Sequence, residues 1–177
     1  MSNILVVIGS ARKGRVADKV LDYIKTDLDK REGVTYTVAD LKEINMPFFD
    51  NELSPNNEAY TITDPQVKQW SELVQAADGV LFITPEYNHT LSAIQKNAID
   101  SLGIDWNEKP VSAVAYGWSG GSLAVGTFRE AIGNVKADVK QTIAQLGFMK
   151  DLNPDGTLLD AANVEAQIAA TIDELVA

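Results

Sequence analysis

The segment from Gly9 to Arg15 combines the residue types that bind a phosphate group. It follows the apolar run Ile4–Ile8, and apolar residues then recur at helical spacing, so the segment joins a predicted strand to a predicted helix. At such a junction, backbone N–H groups and the helix dipole attract an anion. Ser10 can donate to a phosphate oxygen, and Arg12 and Arg15 can neutralise its charge. The alternative is a solvated loop whose charges bind nothing.

A second candidate segment, Pro85–Asn88, follows the apolar run Val80–Ile83. A continuous apolar run predicts a strand that is buried on both faces, as in parallel sheets. Pro85 fixes its own φ and stiffens the turn. We expect the N–H groups of Glu86, Tyr87 and Asn88 to face a ligand edge, with Tyr87 as a planar wall. An ordinary strand-to-helix connection is the alternative.

A third loop, Gly117–Ser122, is rich in glycine and follows the predicted strand Pro110–Tyr116. A helix over about 122–132 is predicted after it. Neither GxGxxG nor GxxxxGK[ST] is present in the Gly9–Arg15 segment, so the dinucleotide fingerprint and the nucleotide P-loop do not apply.

Composition excludes several classes of function. The 177 residues suit a single domain, 1–177, with one core. There is no cysteine and only one histidine, His89, so thiolate chemistry and multi-histidine metal sites are excluded, and no metal site is predicted. The net charge of −10 argues against a nucleic acid or an anionic membrane as partner. We expect a cytoplasmic protein with neither a signal peptide nor a membrane span.

The order of predicted elements indicates a doubly wound α/β fold. Strands and helices alternate along the chain, which is typical of a parallel sheet with helices on both faces. We therefore predict a flavodoxin-like three-layer α/β/α domain with five parallel strands in the order 2-1-3-4-5. Its fifth strand is placed near 135–140, and a helix that continues to Leu146 is the alternative for residues 134–146. Residues 45–64 read as a long irregular excursion, in which Phe48 and Phe49 are either core residues or a lid or partner contact.

In that strand order the three loops meet at one edge of the sheet. Strands 1 and 3 are neighbours at the switch point, with strand 4 next to them. The first loop suits a phosphate, and the other two suit the two sides of a flat ring. A phosphate and a flat ring in one crevice describe FMN.

The sequence resembles a known family at these loops. The segments Gly9–Arg12, Pro85–Asn88, Lys96–Asp100 and Ser119–Gly121 are similar to those of the NAD(P)H-dependent FMN reductases of flavodoxin-like fold, a family that includes quinone, azo-dye and chromate reductases. The resemblance covers nearly the whole chain. In Lys96–Asp100 a solvated helix face is the alternative for the polar residues.

The resemblance implies a set of site residues. Ser10, Arg12, Val16 and Ala17 would hold the FMN phosphate, with Arg15 nearby. Backbone atoms of Pro85, Glu86, Tyr87 and Asn88 would contact the isoalloxazine, and Ser119, Gly120 and Gly121 would cover its other side. Two departures stand out: Val16 and Ala17 occupy a stretch where many relatives have Ser and Asn, and His89-Thr90 replaces a common Gly-Ser.

The implied activity is ping-pong transfer of hydride from NAD(P)H, through bound FMN, to a quinone, azo compound, free flavin or similar small acceptor. The flavin carries the chemistry, so no side chain need act as a general acid or base. A flavodoxin-type electron carrier, or a flavin-binding sensor with little turnover, is the alternative.

Two further expectations concern the acceptor, from the places of residues on the converging loops, and the assembly, from the resemblance. Tyr87, His89 and Trp118 are placed beside the open face of the flavin, with Phe49 reaching in from a partner subunit. Relatives are homodimers or homotetramers, so we expect a homo-oligomer.

Overall fold

A computed structural model describes residues 1–177 and has a parallel sheet at its centre. The long strands are β1 (Ser2–Ile8), β2 (Val34–Asp40), β3 (Gly79–Pro85) and β4 (Pro110–Gly117). Their spatial order is β2-β1-β3-β4, so β1 and β3 lie side by side at the switch point. The predicted order of the parallel sheet is confirmed.

The fifth position of the sheet is filled by two short strands, β5 (Asp138–Val139) and β6 (Ala144–Gly147), which both pair with β4. Between these two strands the chain leaves the sheet, because side chains from other elements form hydrogen bonds with its backbone N–H and carbonyl groups. The Arg129 guanidinium donates to the carbonyls of Lys140 and Gln141. The Glu174 carboxylate accepts from the N–H groups of Gln141 and Thr142. The strand expected near 135–140 is thus limited to Asp138–Val139, and pairing with β4 resumes at Ala144. The alternative of a helix that continues to Leu146 is wrong.

Helices cover both faces of the sheet, as the three-layer prediction requires. Alternate residues of β1 separate the two cores: Leu5 and Val7 belong to one, whereas Ile4, Val6 and Ile8 belong to the other. The two cores contain 21 and 19 buried residues, so neither face is left uncovered. The helices are α1 (Ala17–Leu28), α2 (Leu41–Ile44), α3 (Pro65–Ala76), α4 (Ala93–Asp100), α5 (Ser122–Asn134) and α6 (Ala161–Val176).

None of these helices combines the length and apolar character needed to cross a lipid bilayer.

The irregular excursion after α2 is anchored by one side chain of α4. The Asn97 amide accepts from the Phe49 N–H at 2.9 Å and donates to the Pro47 carbonyl at 2.9 Å. Asn97 is buried and does not belong to a solvated face, whereas Lys96 and Asp100 form an exposed ion pair on that helix. Phe48 is 73% exposed, so the interpretation of this residue as part of the core is wrong.

A partly buried ion pair ties the loop after β1 to the end of β2. The Arg15 guanidinium makes a bidentate contact with the Asp40 carboxylate and also donates to the Ser10 carbonyl at 2.7 Å. Burial alone would raise the pKa of Asp40, but the bond from Arg15, the bond from the Lys42 N–H and the charges of both residues together outweigh burial and hold this pKa below its ordinary value. Asp40 also caps α2 by accepting from the Lys42 N–H at 3.0 Å.

We expect Asp40→Asn to lower the free energy of unfolding by about 1–3 kcal/mol at pH 7, because it leaves Arg15 without its charged partner. Because the folded-state pKa of Asp40 is lowered, ionised Asp40 stabilises the fold at pH values above its unfolded-state pKa. This stabilisation is lost as the pH falls through the folded-state pKa. The difference from wild type should therefore shrink between about pH 5 and pH 3. Urea denaturation across this range measures it.

Asp50→Asn is the matched control, because Asp50 is exposed and forms no salt bridge. It should change stability little at any pH. An Asp40→Asn effect that stays the same at pH 7 and pH 3 would show that charge pairing is not its source.

Candidate functional site

The three loops converge on one cleft of about 350 Å³ at the carboxyl end of the sheet. Of the predicted site residues, ten lie along it. The full lining consists of Ser10, Arg12, Gly14, Arg15, Val16, Pro85, Glu86, Tyr87, Asn88, His89, Tyr116, Gly117, Trp118, Phe148 and Pro154. The cleft thus unites distant parts of the sequence, and its two ends differ in chemistry.

One end of the cleft is the N-terminus of α1, which is free to bind an anion. Its N-cap residue, Val16, makes no side-chain capping bond. Each of the other α-helices receives a side-chain acceptor at its N-terminus, from Asp40, Asp64, Ser92, Glu86 or Asp160. The first N–H groups of a helix have no partner within the helix, so those of α1 are left for a ligand. Ala17 is fully buried and offers only its backbone here.

The two arginines of the first loop have different roles. Arg15 is held by Asp40 and also by Asp18, at 2.8 Å, so its charge is already neutralised. Arg12 lines the cleft, is exposed and forms no salt bridge. Arg12 is therefore the side chain whose positive charge remains available at this end of the cleft.

Three hydroxyl groups meet beneath the same end. The Ser10 Oγ and the Tyr87 hydroxyl share a hydrogen bond of 2.6 Å. Tyr116 lies beside them: its burial and then the neighbouring Tyr87 raise the pKa of Tyr116, and contacts with Ser10, Arg12 and the Ala17 amide offset only part of the rise. Tyr116 therefore keeps its proton at neutral pH and can donate it to an anion.

The turn after β3 is a two-residue hairpin turn. Tyr87 and Thr90 exchange backbone hydrogen bonds of 3.0 Å, and both residues between them have positive φ, Asn88 at 48° and His89 at 67°. This is the backbone of a type I′ turn, which favours Gly at its second position. His89 thus occupies a left-handed conformation where a glycine would be unstrained.

The turn offers fewer free donors than its sequence suggests. The N–H of Glu86 donates to the Tyr116 carbonyl at 3.1 Å, and that of Tyr87 donates to the Thr90 carbonyl. These two groups are therefore already satisfied, contrary to the expectation that they face a ligand. The N–H of Asn88 has no partner within the chain and remains available.

The Glu86 carboxylate fixes the third loop. It accepts from the Ser119 Oγ at 2.9 Å and from the backbone N–H groups of Leu123 at 3.0 Å and Ala124 at 3.3 Å. Ser119, Gly120 and Gly121 do not line the cleft; only Gly117 and Trp118 of this loop do so. The role expected for Ser119–Gly121 in covering a flavin stays a prediction.

The cleft also contains residues that sequence analysis did not single out. Tyr116 was predicted only as the last residue of a strand. Strand ends face the ligand edge of an α/β sheet, so this position was a signal that could have identified it. Phe148 and Pro154 come from the segment after β6, whose position was not predicted. Phe49 lies outside the cleft, with its ring centroid 6.3 Å from that of Tyr60.

A larger groove, of about 910 Å³, lies elsewhere and shares no residue with the cleft. It is bounded by residues 55–62, α3 and the 3₁₀-helix Ile104–Trp106. One of its carboxylates, that of Asp105, already accepts hydrogen bonds from Ser71 and Gln75. No group of three His, Asp or Glu side chains is placed to bind a metal ion. The convergence of the three loops makes the smaller cleft the candidate site.

The sequence is similar to those of several known reductases. Residues 2–146 match the sequence model of a family described as NADPH-dependent FMN reductase. The chain is 30% identical to the NAD(P)H-dependent FMN reductase LOT6 of Saccharomyces cerevisiae, over 96% of this chain and 91% of that protein. It is 34% identical to an NADPH azoreductase of Bacillus sp. strain OY1-2, over 76% of this chain and 71% of that protein.

Solved structures share the fold. The flavoenzyme NAD(P)H:(acceptor) oxidoreductase FerB of Paracoccus denitrificans superposes with a TM-score of 0.76 at 22% identity, over 99% of this chain and 98% of that one. An NAD(P)H:quinone oxidoreductase of Methanothermobacter marburgensis gives a TM-score of 0.69 at 16% identity, over 98% and 94%. Because the family match spans most of the chain and includes all three loops, the protein belongs to the NADPH-dependent FMN reductase family.

Proposed function

We propose that this protein is an FMN-dependent NAD(P)H oxidoreductase that passes hydride, by a ping-pong mechanism, from NAD(P)H through bound FMN to a small acceptor. Quinones, azo compounds and free flavins are the expected acceptors. The observation that carries the proposal is the cleft at the switch point, where the uncapped N-terminus of α1 and the unpaired Arg12 lie at one end and Tyr87 and Trp118 line the other walls.

The residues present fit FMN. Its phosphate would accept hydrogen bonds from the Ser10 hydroxyl and from the N–H groups at the start of α1, with Arg12 balancing its charge. Val16 would contact it through its backbone, and Arg15 would act indirectly, because its guanidinium holds the loop to Asp40. When bound, FMN supplies the capacity to accept and release hydride.

The ring would lie along Pro85–Asn88. The Asn88 N–H is the free backbone donor there, and a donor near the pyrimidine edge of the ring would stabilise negative charge on it. Tyr87 would give the ring a planar wall. Ser119, Gly120 and Gly121 would cover the opposite side by way of the loop that Glu86 fixes.

The acceptor would use the open side of the cleft. Tyr87, His89 and Trp118 are the proposed contacts of this chain, since all of them line the cleft. Phe49 would act from a partner subunit, consistent with its position outside the cleft of its own chain. An apolar, aromatic enclosure discriminates weakly between planar acceptors, so we expect broad acceptor use.

The wider setting is part of the same proposal. The partner is a small electron acceptor, with no role for nucleic acid or membrane, and the net charge of −10 supports this view. We also propose a cytoplasmic location, where NAD(P)H is available to the protein.

The first test is whether NADPH reduces the bound flavin. We expect the purified protein to be yellow and to lose its flavin absorbance near 450 nm rapidly when NADPH is added without oxygen. A quinone added afterwards should restore the colour, because ping-pong exchange lets the acceptor follow the departed nicotinamide. A protein that binds FMN but stays oxidised with both NADPH and NADH would instead be a flavodoxin-type carrier or a sensor.

A second test addresses the phosphate end. We expect Arg12→Ala to weaken FMN binding about 10- to 100-fold, since a hydrogen bond to a charged group contributes about 1.5–3 kcal/mol. Flavin fluorescence titration of the apoprotein measures the dissociation constant. Lys19→Ala is the matched control, because Lys19 is an exposed cation on α1 outside the cleft. Equal affinities of Arg12→Ala and Lys19→Ala would remove Arg12 from the site.

A third test concerns assembly. We propose a homodimer or homotetramer in which exposed Phe48 of the excursion is covered by the partner, because an exposed ring of this size favours association. Light scattering at micromolar concentration should give two or four times the chain mass. Phe48→Glu should lower it, whereas Leu159→Glu, at another exposed apolar residue, should not. A wild-type protein of single-chain mass would contradict the proposal.

A further inference from the structure

The segment after β6, residues 147–160, forms one wall of the cleft. Two of its residues, Phe148 and Pro154, line the cleft. The family model matches residues 2–146, so this wall directly follows the matched stretch.

Phe148 is held against the third loop by both its backbone and its ring. Its N–H donates to the Gly117 carbonyl at 2.9 Å. Its ring meets that of Trp118 edge to face, with centroids 5.6 Å apart and planes at 80°, and that of Tyr116 at 6.2 Å and 56°. Phe148 thus continues the aromatic surface of Trp118, which is itself 73% exposed.

A buried carboxylate fixes Phe148 in this position. Asp151 is 1% exposed, and it accepts from the Gly147 N–H at 2.8 Å and from the Asn163 side chain at 2.6 Å. Its own N–H donates back to the Gly147 carbonyl at 2.8 Å. The loop closes so tightly that Met149 has a φ of 63°, in the left-handed region.

The far end of the wall is fixed at the phosphate end of the cleft. The Tyr23 hydroxyl donates to the Gly156 carbonyl at 2.8 Å. A Cβ atom at Gly156 would lie only 3.0 Å from the side chains of Val16 and Lys19, so the backbone there packs directly on the start of α1. The wall is therefore anchored at both ends, and Phe148 is not part of a mobile lid.

We propose that Phe148 is a specificity residue, which favours planar aromatic acceptors by stacking with them beside Trp118, and that Asp151 is its positioning residue. This inference rests on the proposed function. In the overall reaction, NADPH and one proton from solvent reduce a quinone to its hydroquinone, so the acceptor gains two electrons and two protons. Phe148 takes no part in that transfer; it contributes only to holding the acceptor.

The test compares an acceptor that needs a stacking surface with one that does not. A naphthoquinone is planar and aromatic, whereas ferricyanide is a compact anion that takes single electrons without stacking. Phe148→Leu keeps an apolar side chain but removes the ring, and Phe148→Tyr keeps the ring. Met149→Ala is the matched control, because Met149 is the exposed neighbour and does not line the cleft.

We expect Phe148→Leu to raise the KM for the naphthoquinone about 3- to 10-fold, as loss of one aromatic contact implies. The dissociation constant of the naphthoquinone from the oxidised holoprotein, measured by calorimetry, should rise by the same factor. Turnover with ferricyanide and flavin affinity should not change. Phe148→Tyr and Met149→Ala should behave as wild type.

Asp151→Ala should raise the same KM, and the double variant with Phe148→Leu should raise it no further, because Asp151 acts through Phe148. Equal changes for both acceptors, no change for the naphthoquinone, or loss of flavin from Phe148→Leu would each overturn the inference. An additive double variant would overturn the role of Asp151. Failure of wild-type protein to be reduced by NADPH would instead reject the proposed function, so the two failures are distinguishable.

Discussion

The position of the phosphate loop depends on a close approach that only glycine permits. Gly9 donates its N–H to the Ile83 carbonyl at 3.0 Å, and a Cβ atom on Gly9 would lie 2.8 Å from that oxygen and 2.4 Å from the Gln95 Oε1. The Ser92 hydroxyl, which caps α4, donates to the Gly9 carbonyl. One residue without a side chain therefore allows the close approach of β1, β3 and α4, and Ser10 follows it directly in the chain.

The charged groups around this junction have separate roles. The chain carries a net charge of −10, yet its candidate ligand is an anion. The cleft can bind an anion because Asp40 pairs with Arg15, whereas Arg12 has no carboxylate partner and its positive charge remains available. The backbone dipole of α1 supplies the rest. Local arrangement, and not net charge, decides which ligand the cleft attracts.

The fold could be predicted from the sequence because its signals are local and repeated. Apolar strands followed by helical spacing determine a doubly wound sheet, and the handedness rule then limits the strand order. The division of the fifth strand could not be predicted, because it depends on Arg129 and Glu174, which reach residues 140–142 from other elements. Periodicity within a segment carries no information about such partners.

The site was predictable to a similar degree and for the same reason. Loops at strand ends identified Ser10, Arg12, Tyr87 and Trp118 as neighbours. The pairing of Arg15 with Asp40, and the use of the Glu86 N–H by Tyr116, depend on contacts between strands that adjoin only in three dimensions.

Phe148 escaped notice for a related reason. It follows β6, a short strand that was not predicted because the fifth strand was expected near 135–140.

The three tryptophans occupy two contrasting environments, and this division has a spectroscopic consequence. Trp70 and Trp106 are fully buried, with ring centroids 5.9 Å apart, whereas Trp118 is open to solvent beside the cleft. A buried indole emits at shorter wavelengths than an exposed one, so we expect the emission of Trp70 and Trp106 to report on unfolding of the core. We expect Trp118 to emit at longer wavelengths and to sense directly a ligand that enters the cleft beside it.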